Sequence, residues 1–323
     1  MGFPWFKNTI TKTRDSICCF KINSKTYFDM KFLKLNDGRI ILYNEENNIQ
    51  IYRISNNIFS LELKFEIERG IENKGPYIIY EIDKNIILLG ATDLFLIDLK
   101  RNLKLLQKIN INNIYKDFHI LKLSNGLIII FFSKKIIIFN YDKKEKKLIK
   151  KDEFDIQDLS VKELSEINNE NIIIYNNSLI YILNLKTKEI KKMKINKHYS
   201  FKIKSLLENY CLISYLNGTE EGMHGYLDIY KIDLEEIKLL QTIDLDYPYL
   251  INQFIKLNEN KLIALDIKNN IYEFNIADNF HISLIDIFNI NDDDTERINI
   301  YKYNENKIIA ISINNIIKIW EFD

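Results

Sequence analysis

The chain has 323 residues, 46% of them hydrophobic, with 45 Lys plus Arg against 45 Asp plus Glu. This is too apolar for a disordered chain and ample for a buried core. A formal net charge of zero excludes a global field that would steer the chain onto nucleic acid or an anionic membrane.

The N-terminus reads MGFPWFKNTITKTRD. It has neither the apolar run nor the small-residue cleavage site of a signal peptide. Phe6 stands where a myristoylation signal needs Ser or Thr. Residues 1–14 read as an extension whose aromatic segment Phe3-Pro4-Trp5-Phe6 either packs back on the body of the protein or is locally disordered, the alternative being a linear docking motif or an amphipathic anchor. Residues 15–323 read as one domain. It opens with a β-like segment, Ser16–Ile22 (SICCFKI), that has no match in the unit that follows it.

A polar turn followed by a short apolar run then recurs seven times. The copies are FLKLNDGRIILY from Phe32, IYEIDKNIILLG from Ile79, ILKLSNGLIIIFF from Ile120 and ELSEINNENIIIY from Glu163. They continue as KSLLENYCLISY from Lys204, FIKLNENKLIAL from Phe254 and IYKYNENKIIAI from Ile300. Their turns begin at Asn36, Asp83, Ser124, Asn168, Glu208, Asn258 and Asn304, at intervals of 40 to 50 residues. That is the period of a four-stranded propeller blade.

Each unit carries two further strand-like segments. The third strands start at Ile49, Leu94, Ile136, Leu179, Leu227, Ile271 and Ile316. The fourth alternate apolar and polar, as in Phe59–Ile67, Leu103–Ile111, Ile237–Leu245 and His281–Phe288. Alternation marks a half-exposed outer strand, and apolar runs such as LIIIFF mark strands hidden on both faces. The last unit stops at Asp323 without an outer strand. The fold class is therefore all-β: a seven-bladed β-propeller closed by an N-terminal strand completing the last blade. Closure removes the edges that an open sheet would present.

The terminal IIKIWEFD, with Trp320, resembles the closing strand of a WD repeat. The equivalent positions are Tyr52, Ile97, Phe139, Leu183, Tyr230 and Phe274. The resemblance spans nearly the whole chain in period and strand order, and is close in motif only in the last repeat. The family's Gly-His dipeptide is absent and no Asp is placed in the tight hairpin turn. The expectation is that the family's buried polar network is missing and that apolar packing between blades carries stability. With nine glycines, the chain fits kelch-like propellers less well.

No phosphate-binding, dinucleotide, nucleophile-elbow or HExxH motif occurs. His119, His198, His224 and His281 lack metal-ligand spacing, and the run Asp292-Asp293-Asp294 with Glu296 lacks the alternation and glycine of an EF-hand. Cys18, Cys19 and Cys211 form no zinc pattern, and so few cysteines read as intracellular, cytoplasmic usage. The sequons at Asn176 and Asn217 carry weight only in a secreted chain. No apolar run is long enough to span a membrane. The expectation is no cofactor, no metal and no catalysis.

Two surfaces remain. Lys143, Lys144, Lys146 and Lys147, with Lys191 and Lys192, form a basic rim on third-to-fourth strand connections. The plain reading is lysine guarding of outer edges; the alternative is an adaptor for anionic membrane or nucleic acid. The Phe-Arg-Arg-Gly motif of phosphoinositide-binding propellers is absent. The second surface bears the fourth-to-first and second-to-third connections, with Tyr77, Tyr115, Tyr199, Tyr247 and Tyr249 as candidate partner-binding residues. Asn217–Tyr226 (NGTEEGMHGY) reads there as a mobile loop insertion. The resemblance implies a scaffold for an unknown protein or peptide partner, a monomeric propeller within a complex. An enzyme or small-ligand site over the central channel is the alternative.

Overall fold

The computed structural model describes residues 18–21, 31–43, 48–55, 58–66, 78–91, 93–100, 103–111, 118–132, 134–156, 161, 163–176, 179–194, 201–207, 209–219, 222–245, 249–277, 280–290, 298–312 and 316–322. Strand β1 is Cys18–Lys21. Blade 1 is β2 (Lys31–Lys34), β3 (Ile40–Tyr43), β4 (Asn48–Ser55) and β5 (Ile58–Glu66). Blade 2 is β6 (Ile78–Asp83), β7 (Ile86–Gly90), β8 (Leu94–Asp98) and β9 (Lys104–Ile109). Blade 3 is β10 (Phe118–Lys122), β11 (Leu127–Phe132), β12 (Lys135–Asp142) and β13 (Lys147–Asp155). Blade 4 is β14 (Glu163–Asn168), β15 (Asn171–Tyr175), β16 (Leu179–Asn184) and β17 (Ile190–Lys194). Blade 5 is β18 (Phe201–Leu207), β19 (Tyr210–Thr219), β20 (Gly222–Ile232) and β21 (Ile237–Asp244). Blade 6 is β22 (Ile251–Lys256), β23 (Lys261–Asp266), β24 (Asn270–Ile276) and β25 (Ile282–Asn289). Blade 7 is β26 (Ile298–Lys302), β27 (Lys307–Ser312), β28 (Ile316–Glu321) and, as its outer strand, β1.

These are seven four-stranded sheets, each in chain order except the last. There β1 lies antiparallel on β28, with Cys18 opposite Ile319 and Lys21 opposite Ile316. The seven-bladed propeller closed by an N-terminal strand is the observed fold.

Contacts divide the chain into two compact units, Phe28–Ile172 and Met1–Tyr27 with Ile173–Asp323. In the first, Leu35, Ile41 and Ile51 of blade 1 pack on Ile79, Ile87 and Leu89 of blade 2. The other face of blade 2, with Leu88 and Leu96, packs on Phe118, Ile128 and Phe139 of blade 3. In the second unit, Leu212 and Ile229 of blade 5 meet Phe254 and Phe274 of blade 6. Leu257, Ile263 and Leu265 of blade 6 in turn meet Ile298, Ile308 and Trp320 of blade 7. Second strands are thus buried on both faces, and β3 and β15 are buried at every position. Each isoleucine so buried contributes about 1.5–3 kcal/mol relative to exposure.

One column runs through the blades. Tyr52, Ile97, Phe139, Tyr230, Phe274 and Trp320 lie opposite Ile40, Ile87, Ile128, Cys211, Leu262 and Ile308 of their second strands. All six are buried, as is Leu183. Immediately before this column, the outer-strand pairing slips by one residue in blades 1, 2, 3, 5 and 6. In blade 2, Leu96 faces Gln107 while Ile97 faces Leu105, which leaves Leu106 extra. The extra residues elsewhere are Glu62, Lys151, Leu240 and Ile285. Such bulges bend the outer strand and increase its twist.

One sequence expectation is corrected. An Asp does stand in a tight hairpin turn. Asp266, at the end of β23, accepts from the backbone N–H of Lys268 and Asn270, from Asn270 Nδ2 and from the Tyr272 hydroxyl, at 2.7–3.1 Å. The turn closes through Asn269 in the left-handed region (φ 64°), a conformation Asn tolerates. Polar contacts also join the blades beside the apolar packing. Gln107 of β9 donates Nε2–H to the Leu148 carbonyl (3.2 Å) and accepts the Leu148 N–H (2.7 Å). Gln241 of β21 does the same to Ile282, at 2.7 and 2.9 Å. Each glutamine thereby satisfies both backbone groups of one residue at the start of the next blade's outer strand.

Candidate docking face

Blade 5 departs from the repeat. Its second and third strands run ten and eleven residues, against four to eight in the other blades. Beyond Tyr215 opposite Tyr226, four further pairs form, ending at Thr219 opposite Gly222. At about 3.4 Å per residue this two-stranded ribbon projects roughly 13 Å past the paired neighbours. Of the segment expected as a mobile loop, Asn217–Thr219 and Gly222–Tyr226 are therefore strand. Its glycines are carried as cross-strand partners, Gly218 with Met223 and Gly225 with Leu216.

The base of the ribbon is fixed by a buried carboxylate. Asp228 is fully buried and accepts from the hydroxyls of Thr242 (2.7 Å), Tyr230 (3.1 Å) and Tyr215 (3.4 Å). Burial, then the Asp228 charge, pushes the Tyr230 phenol above its usual range. On the opposite face, the Ser214 hydroxyl accepts the Ile251 N–H (3.1 Å), which ties the ribbon to blade 6. The Leu245 N–H donates to the Gly225 carbonyl (2.9 Å), so the chain leaving β21 is held against the ribbon as well.

Above this base Tyr215 is buried, and Tyr226 and His224 are half-exposed. Tyr215 and Tyr226 stack at 5.4 Å, and His224 stacks on Tyr226 at 6.4 Å. His224 Nδ1 lies 3.6 Å from Asp244 Oδ1. Burial and the Asp244 carboxylate raise the Tyr226 phenol. Beside the ribbon, Tyr249 is half-buried just ahead of β22. Ile267, at the Asp266 turn, is 55% exposed and donates its N–H to the Leu250 carbonyl (3.2 Å). Two aromatic rings, a histidine and a bare isoleucine thus share one end of blades 5 and 6. This is the composition of an interface core, and the rigid base presents it without ordering cost.

Of the tyrosines expected from sequence, Tyr249 is placed at this face. Tyr77, Tyr115, Tyr199 and Tyr247 lie outside the described residues, as do Phe3-Pro4-Trp5-Phe6, His198 and Asp292–Asp294. Sequence reading put the segment holding His224 and Tyr226 on this surface as a loop rather than as strands, and missed Ile267. The strand signal was the pattern His224, Tyr226, Asp228, Tyr230, whose period of two marks one face of a strand.

Of the lysines expected to form a basic rim, Lys143, Lys144 and Lys146 stand in the β12–β13 turn, Lys147 opens β13, and Lys191 and Lys192 lie within β17. Lys143, Lys144 and Lys147 are exposed at the β12–β13 turn. The Asp142 side chain caps the N–H groups of Lys144 and Glu145 in that turn. Lys146 bonds Asp98 at 2.6 Å, and Lys147 pairs with Glu145. On β17, Lys191 donates to the carbonyls of Leu234 and Glu235 (2.8 and 3.1 Å), and Lys192 is exposed. Lys146, Lys147 and Lys191 are thus engaged within the chain.

Among the described residues, no group of three or more His, Cys, Asp or Glu side chains could hold a metal ion. No helix there is long and apolar enough to cross a membrane.

No protein-family model matches this chain, and no curated protein matches it in sequence. Solved structures do. The WD40 domain of Neurospora crassa Pan2 is 10% identical, with a TM-score of 0.67 over 96% of this chain and 97% of that one. A chain of the mitotic checkpoint complex is 11% identical, with a TM-score of 0.66 over 100% and 99%. The β-propeller domain of Cps50 (Swd1) from Myceliophteria thermophila is 11% identical, with a TM-score of 0.65 over 95% and 100%. Likeness at this identity shows the fold alone: a WD40-like seven-bladed β-propeller.

Proposed function

We propose that this chain is a non-catalytic scaffold that binds a protein or peptide through the blade 5 ribbon and the adjoining end of blade 6. The observation that carries this reading is the ribbon itself. It is the one long departure from the repeat among the described residues, and it is anchored by a buried carboxylate. Rings at a fixed base, flanked by an exposed Ile267, are the anchors that dominate binding energy at interfaces. One of the similar structures is a chain of the mitotic checkpoint complex, which agrees with a role inside a complex. An intracellular site of action fits that role. By sequence, Tyr247 belongs to the same fourth-to-first strand connection as Tyr249 and is proposed with it.

Alanine replacement of His224, Tyr226, Tyr247, Tyr249 and Ile267 together tests the face. A partner isolated with the wild-type chain and then purified should bind the five-fold variant at least tenfold more weakly. Circular dichroism and the melting curve should be unchanged. Undiminished affinity for the folded variant would rule out this surface.

A further inference from the structure

The blade 5 ribbon carries, beside its aromatic side chains, a backbone edge of its own. The Leu245 N–H bonds the Gly225 carbonyl from outside the ribbon, so Gly225 turns its backbone groups away from β19. In an antiparallel pair such outward residues alternate with those that bond across the ladder. Gly225 opposite Leu216 and Met223 opposite Gly218 are therefore outward pairs, whereas Asn217 opposite His224 and Thr219 opposite Gly222 hold the ribbon together. At the far end of the same two strands, the Ile232 N–H bonds the Asn209 carbonyl, which gives the same alternation.

The two edges differ in what lies beside them. On β20, Leu245 already takes the Gly225 carbonyl. On β19, pairing with β18 reaches Phe201 opposite Tyr215, and no described strand runs alongside Gly218. The usual guards of a free edge are missing as well. Residues 216–219 (LNGT) and 222–225 (GMHG) contain no Lys, Arg, Asp, Glu or Pro. Their pairing is continuous, without the bulge that interrupts the outer strands of blades 1, 2, 3, 5 and 6. Gly218 also lacks the side chain that would hold a second backbone at a distance.

Outward N–H and C=O groups select their occupant. A helix has its own backbone groups bonded internally, whereas an extended segment can satisfy both groups of Gly218 as a further strand. We infer that the partner binds by strand addition, with an extended segment of it paired to the β19 edge at Gly218. This rests on the ribbon being the docking element.

Amide exchange followed by NMR on the full chain tests it, with the partner protein purified on the wild-type chain as the probe. In the free chain, the Gly218 amide should exchange at least tenfold faster than those of Asn217 and His224. Saturating partner should slow Gly218 at least tenfold and leave Met223 unchanged. Slow exchange at Gly218 in the free chain would overturn the inference, because the edge would already be covered. So would protection that falls on Met223 and spares Gly218. Substitutions supply a second arm. Gly218→Ala keeps the N–H and should bind within twofold of the wild type. Gly218→Pro removes it where the ladder does not need it, a setting in which strands accept proline, and should bind at least tenfold more weakly. If Gly218→Pro binds like the wild type while the five-fold alanine variant does not, the docking face stands and strand addition falls. Undiminished binding by both variants would defeat the face itself.

Discussion

The outer strands of blades 3 and 6 are built alike and finished differently. Both β13 and β25 carry a one-residue bulge beside the buried aromatic column, at Phe139 and Phe274. Both are latched near their start by a glutamine of the preceding blade. Yet β13 displays Lys147, Lys150 and Lys151, with Glu153 bridging Lys135 and Lys150, whereas β25 displays Ser283, Leu284 and Ile285. Backbone geometry and latch are therefore properties of the repeat, set by blade packing. Edge chemistry is free to vary, and blade-specific contacts are to be sought there.

The largest effect should come from the turn that distinguishes blade 6. Asp266→Ala leaves the buried Tyr272 hydroxyl and the Asn270 amide without their acceptor, and should cost about 3 kcal/mol in urea unfolding. Next come the shared latches. Gln107→Ala and Gln241→Ala each strip one backbone N–H and one carbonyl of their partner, and should cost about 1–3 kcal/mol apiece. A large difference between the two would break the equivalence of the blades.

The pH dependence should separate the same regions by sign. Burial raises Asp266 above its ordinary 3.8 despite its hydrogen bonds, so its contribution is full below that value and falls as pH rises through the folded pKa. Asp98, beside blade 3, is opposite. Burial opposes ionisation, but the Lys146 bond and charge outweigh it and hold the carboxyl below 3.8. Its contribution is present above 3.8 and falls as pH drops through the folded pKa. Asp266→Asn and Asp98→Asn should each flatten only its own window of the stability–pH curve. The smallest effect on stability should follow from Lys150→Ile with Lys151→Ile, within about 0.5 kcal/mol. Light scattering should nonetheless show faster aggregation once the blade 3 edge is unguarded.

Much of the fold is legible in the amino-acid pattern because the period, the turns and the doubly buried second strands all obey local rules. The buried third-strand position held by residues from Tyr52 to Trp320 follows from strand position alone. The bulges left a subtler trace: Leu105-Leu106, Lys150-Lys151, Leu239-Leu240 and Leu284-Ile285 are doublets of like residues where alternation should have continued. The glutamine latches left no local trace, because their partners are backbone groups 41 residues away. Asp266 was obscured by the abundance of acidic residues. The ribbon was misread because three glycines in ten residues resemble a loop, whereas cross-strand pairing fixed by the Asp228 base tolerates them.

The ribbon can be removed cleanly, because Tyr215 and Tyr226 stand directly opposite each other and a two-residue Asn-Gly turn can join them. The decisive measurement is the affinity of the purified partner for a chain in which that turn replaces 216–225. With the melting temperature preserved, binding should weaken at least tenfold. Equal affinity in the folded, shortened chain would contradict the assignment of function to this face.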